Sequence, residues 1–127
     1  MMIDLSFLYD FALLALRIIV AIVFFSSGKS HLMNPKERGD DIGLSPGLTR
    51  FVGISEVVGA ISIALGIYIQ IGAALLIGTM LGALYKKIFV WGTGFYADKG
   101  FGWHYDIIFL CANFLFLATG GSLVLLG

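Results

Sequence analysis

Apolar residues gather in four long runs, and polarity is confined to the stretches between them. The runs cover residues 5–27, 51–69, 71–90 and 105–126. Each has about 19–23 residues, close to the roughly 20 that a helix needs to cross about 30 Å of hydrocarbon. A helix satisfies its own backbone hydrogen bonds, so four such runs predict four membrane-spanning helices. Only residues around Gln70 separate the second run from the third, and so short a link forces an antiparallel hairpin. The expected fold is all-α: one domain over residues 1–127, a four-transmembrane-helix antiparallel bundle with lipid as its outer solvent.

The first span is expected to end near Gly28, where polarity rises sharply. Asn34-Pro35-Lys36-Glu37 reads as a cap, a proline at the first helical position and a first-turn acid, which predicts a short interfacial helix. Ser45-Pro46-Gly47 repeats the cap-then-proline pattern and should launch the second span. The third span closes with Lys86-Lys87 and gives way to a loop of glycines and aromatics: Trp91, Gly92, Gly94, Phe95, Tyr96, Gly100, Phe101, Gly102 and Trp103. The fourth helix should run from about His104 towards the C-terminus. The first run is not read as a cleaved leader, because Asp4 and Asp10 replace a basic opening and Arg17 interrupts the apolar stretch. Its Leu, Ile, Val and Phe residues together favour insertion by about 4–8 kcal/mol, against about 3 for one central arginine.

Composition agrees. Hydrophobic residues make up 59% of the 127-residue chain and charged residues 13%, more apolar surface than a soluble domain this small can hide. Eight basic and eight acidic residues give no net charge, which argues against a nucleic-acid partner. The single cysteine, Cys111, can close no disulfide within the chain, and its place in the fourth run marks it as an inert core residue. Lys29, Lys36, Arg38, Arg50, Lys86, Lys87 and Lys99 all lie in or beside the first and third loops. The positive-inside rule then places those loops in the cytoplasm and both termini outside.

Small residues recur at four-residue spacing: Ala74, Gly78 and Gly82 in the third span, Ser55 with Gly59 and Ser62 with Gly66 in the second. Such stripes let backbones approach closely in lipid, either as seams within the bundle or as a face for a homo-oligomer.

Few groups can carry chemistry. Glu56 lies about five residues into the second span, roughly 8 Å from the basic side, where a carboxylate facing lipid is costly. It reads either as a proton relay or ligand acceptor, or as half of a buried pair with Arg17. Asp10 is too far along the helix to pair directly with Arg17 and is expected to be solvated. Trp103, His104, Tyr105 and Asp106 open the fourth span, with Asp106 favoured by the helix dipole and His104 able to shuttle protons. Asn113 is that span's one strongly polar interior residue. Two histidines and scattered carboxylates do not make a metal site, so none is expected. The aromatic loop has two readings, a headgroup anchor or a slot for a flat ring such as a quinone.

In order and spacing these pieces resemble the DoxX family of small four-helix membrane proteins. They are Arg17 followed by Phe25-Ser26-Ser27-Gly28, Gly53-Ile54-Ser55-Glu56-Val57-Val58-Gly59 with Leu65-Gly66, Met80 with Ala83, Gly102-Trp103-His104-Tyr105-Asp106, and Gly120-Gly121. The resemblance covers nearly the whole chain. It implies a four-helix bundle in a prokaryotic cytoplasmic membrane and a link to membrane redox chemistry, since the family includes subunits of quinone-coupled sulfur oxidation and its fold is similar to that of vitamin K epoxide reductases. Quinone is thus the implied cofactor, and a membrane or redox protein the implied partner. The pocket would be lined by Arg17, Glu56, Trp103, His104, Tyr105, Asp106 and Asn113. Two departures stand out: many relatives have Lys where this chain has His31, and Arg where it has Gln70. The dithiol of the reductase-like relatives is missing, so thiol exchange is unsupported and electrons would have to pass through a partner or bound cofactor. The alternative is a non-catalytic scaffold or assembly factor that binds another membrane subunit.

Overall fold

The computed structural model describes residues 3–96, 102–120 and 123–125, with the side chains of positions 41 and 42 left out. Lys99, Gly100, Phe101 and Gly121, used above, lie outside the described residues. After a 3-10 turn at Ser6–Leu8, five helices follow: α1 Tyr9–Met33, α2 Pro35–Ile42, α3 Pro46–Leu65, α4 Ile69–Tyr85 and α5 Trp103–Thr119. A π-helical turn, Lys86–Val90, extends α4. No strand occurs among the described residues, and the fold is the expected all-α membrane bundle.

The helices start and stop largely where their sequence signals lie. Ser45 caps α3 by accepting a hydrogen bond from the Leu48 amide at 3.2 Å, with Pro46 in the first turn. Asn34 makes no side-chain cap for α2. Its role is steric: the proline after it pushes it off the helical conformation, to φ −130°, and that ends α1. Gly66, at φ 72°, ends α3 in the left-handed region, and Tyr68 at φ 48° completes the reversal into α4.

Three boundaries differ from expectation. The α3–α4 reversal lies at residues 66–68, ahead of the link expected around Gln70, which falls inside α4. The first helix does not stop at Gly28 but runs on to Met33. Gly28 is a crossing point rather than a cap: a Cβ there would sit 2.8 Å from Gly53 O and 2.7 Å from Val57 Cγ2, so α1 and α3 touch backbone to backbone. The fourth helix ends at Thr119, short of residue 126, because Gly120 adopts φ 70° and terminates it. Among the described residues three helices are therefore long and apolar enough to cross a membrane, while α5, with 17 residues, is shorter. Beyond it the Leu125 amide bonds to Gly66 O at 2.8 Å.

α1 packs most extensively on α3, α3 on α4 and α4 on α5, with α2 laid across the start of α3. The Phe24 and Phe109 rings, 5.5 Å apart and edge to face, bring α1 to α5 and close the circle. Val20, Phe24, Ile63, Leu76 and Phe116 fill the interior with 0–1% exposure. Ile22, Ile54, Ile61, Leu81, Ile108 and Phe114 point outwards, the apolar coat that a lipid solvent demands. Gly59 and Gly72 meet at the α3–α4 crossing, so the α3 stripe is an internal seam. The α4 stripe is not: Ala74, Gly78 and Gly82 are exposed, and nothing lies within 4 Å of a Cβ placed at either glycine. Cys111 is exposed on α5, not in the core.

Candidate functional site

The helices bring charge together at the end of the bundle where the basic loops lie. Because α1 continues past Gly28, it carries His31 across α3 to Glu56. The His31 Nδ1 lies 2.8 Å from Ser27 O and 3.2 Å from Glu56 Oε1. A carbonyl can only accept, so Nδ1 carries the ring proton there, shared towards the carboxylate. Glu56 is 2% exposed, and its Oε1 has no fully formed hydrogen bond among the described residues.

Across the bundle, the π-turn and α5 form a second pair. Lys87 Nζ lies 2.8 Å from Asp106 Oδ2, with the ammonium 5.6 Å from the centre of the Tyr105 ring. Asp106 stands in the first turn of α5, where the helix dipole favours an acid, and Lys87 supplies the counter-charge that its burial requires.

Between the two pairs lies a cavity of about 590 Å³, within the range of small-molecule sites. Phe24, Val52 and Met80 give it apolar walls, and Gly78 and Gly82 open one side because they have no side chains. Of the seven candidates read from the sequence, Glu56, Tyr105 and Asp106 line it together. His31, Arg38, Thr79, Lys86, Lys87 and Trp91 join them. The helical spacing held a signal for two of these: once α1 is extended, His31 falls seven residues after the core residue Phe24, and Lys87 seven after Met80.

The other four candidates lie outside the lining. Arg17 is buried near the opposite end, about 21 Å from His31 by helix rise. Its Nε donates to Ile63 O at 2.9 Å and its Nη2 to Ala64 O at 3.4 Å, so it serves the carbonyl end of α3 and not Glu56. Trp103 and His104 belong to an aromatic knot over the loop after α4. The Trp103 ring meets Phe95 at 4.6 Å, and His104 stacks near Tyr96 at 4.7 Å with its Nδ1 2.6 Å from Phe95 O. Asn113 is fully buried midway along α5, where Nδ2 donates to Phe109 O at 2.8 Å. Gln70 donates to Leu117 O at 2.9 Å, tying the α3–α4 turn to the last turn of α5. Among the described residues no three His, Cys, Asp or Glu side chains converge as metal ligands would.

Comparison with curated proteins and with solved structures gives no match. The DoxX family model matches residues 12–92, which take in α1 to α4 and the π-turn but not α5. With more than half of the chain matched, this helical membrane protein belongs to the DoxX family.

Proposed function

We propose that the protein is a quinone-linked subunit of a membrane redox system, holding the ring of a quinone-type amphiphile in the cavity between Glu56 and Asp106. The observation that carries this reading is the pairing of apolar walls with buried, oppositely charged groups at one end of the bundle. The residues fit such a ring. Its carbonyl oxygens need donors, which the Lys87 ammonium can supply, while the Tyr105 and Trp91 rings offer faces for stacking. A quinone, when bound, supplies the electron-accepting chemistry. Glu56, with His31 beside it, is placed to take or give a proton, and Asp106 holds the Lys87 donor in position. No dithiol is available to carry electrons, so they are assigned to a partner protein or a bound cofactor. The basic end of the bundle, and with it the cavity, is assigned to the cytoplasmic side.

Native mass spectrometry of the protein purified with its lipids tests this directly. Retained quinone in the wild type, reduced at least tenfold in Glu56→Gln, is the expected result. A wild-type sample without quinone that also fails to bind added ubiquinone would refute it.

The exposed Ala74-Gly78-Gly82 face favours a second reading, a scaffold that docks another membrane helix there. A stoichiometric partner that survives Glu56→Gln in a mild-detergent pull-down, but is lost in Gly78→Leu, would establish it.

A further inference from the structure

The rim of the cavity carries a charge imbalance that ring binding leaves unused. Four basic side chains border it, His31, Arg38, Lys86 and Lys87, against the two carboxylates Glu56 and Asp106. His31 faces Glu56, and Lys87 holds Asp106. Arg38 and Lys86 remain. Among the described residues neither meets a carboxylate. The Arg38 Nε is buried without a hydrogen-bond partner. Of the α2 acids near Arg38, Glu37 and Asp40 are exposed and lie outside the lining, and the side chain of Asp41 is outside the described residues.

The fold itself holds these two cations on one rim. Arg38 comes from the middle of α2, and Lys86 from the first residue of the π-turn. The Lys86 ammonium reaches to within 3.5 Å of where a Cβ on Gly43 would stand, at the C-terminal end of α2. An ammonium and an unsatisfied guanidinium N–H at the edge of an apolar chamber call for one acceptor that is itself negative. An uncharged ring cannot supply it.

We infer that Arg38 and Lys86 form a rim site for an oxyanion of the phosphate class, carried by a membrane amphiphile whose apolar part enters past Val52 and Met80. The site rests on the rim cations and not on the quinone reading, but the Val52 and Met80 walls are shared, so the amphiphile's apolar part and a ring in the chamber exclude each other. Free phosphate shares the head-group chemistry, but the apolar walls below the rim favour the lipid form.

The test uses the full chain in detergent, incubated with mixed phosphatidylglycerol and phosphatidylcholine vesicles and then read by native mass spectrometry. The wild type retains phosphatidylglycerol over phosphatidylcholine. Arg38→Gln and Lys86→Gln each lower that preference about fivefold, the factor that one basic group beside an anionic lipid is worth. Arg38→Lys keeps most of it. Arg50→Gln, an exposed cation away from the cavity, leaves it unchanged. An equal loss in Arg50→Gln, or no loss in Arg38→Gln, overturns the site. If inorganic phosphate binds with the same Arg38 dependence while phosphatidylglycerol is not retained, the lipid assignment is overturned. Quinone retention bears only on the earlier proposal and is read in a sample incubated without vesicles.

Discussion

The α1–α3 crossing makes a quantitative prediction. In Gly28→Ala the new methyl lies 2.8 Å from Gly53 O, 2.7 Å from Val57 Cγ2 and 3.0 Å from Glu56 Cβ. One of these is backbone, so a rotamer change cannot relieve the clash and the two helices must separate. Overpacking of this kind costs about 1–3 kcal/mol. Replacing a mid-helix glycine also returns about 0.8–1 kcal/mol of helix propensity, which would mask part of the loss. Gly78→Ala removes that ambiguity, because nothing lies within 4 Å of its added methyl and only the propensity gain remains. The difference between the two variants should therefore be the packing cost alone, about 1–3 kcal/mol, or roughly 5- to 150-fold in the unfolding equilibrium. Denaturation in mild detergent, followed by tryptophan fluorescence, measures it. Separation of α1 from α3 should also move His31 away from Glu56, so Gly28→Ala should lose cavity ligand as well as stability. If the two variants unfold within about 0.5 kcal/mol of each other, the backbone contact is not what holds these helices together.

Three further results are expected. Arg17→Met leaves the Ile63 and Ala64 carbonyls without their charged donor and should cost about 1.5–3 kcal/mol in the same assay; unchanged or higher stability would show that Arg17 is dispensable to α3. Lys87→Met strands Asp106 in a buried position and should cost about 3 kcal/mol, whereas Lys87→Met with Asp106→Leu should recover most of it. Recovery that fails would mean that the pair stabilises the bundle through more than charge balance. In a Cys111→Ser background, Glu37→Cys should react with an impermeant maleimide only from the cytoplasmic face and Tyr68→Cys only from the other; the reverse pattern inverts the assigned orientation.

The spans were legible because lipid imposes one rule on the whole outer surface, and apolar runs of the right length obey it without reference to partners. Helix ends were legible where a local signal decides them, as at Ser45. Gly28 misleads because one residue serves two ends: in sequence it looks like a stop, while in space it is a contact, and only the neighbouring Gly53 says which. The site was partly readable for the same reason. Glu56, Tyr105 and Asp106 announce themselves as polar groups at the edges of apolar runs. His31 stands in a stretch that reads as loop, and its inward direction depends on α1 continuing further than the sequence implied, while Lys87 closes the third run, where a lysine reads as an interface anchor. Arg17 shows the opposite failure: a buried charge finds backbone carbonyls as readily as a carboxylate, and a pairing guessed from depth alone cannot tell them apart.

Arg17 and the Glu56–Asp106 cavity occupy opposite ends of the molecule, separated by Val20, Phe24, Ile63, Leu76 and Phe116 at no more than 1% exposure. That stopper has a thermodynamic meaning. Under the proposed function, a proton that reaches Glu56 meets this apolar layer and leaves most easily by the doorway it used. A redox step in this chamber would consume or release acidity on one side of the bilayer only. On that reading the bundle would be a blind alley for charge.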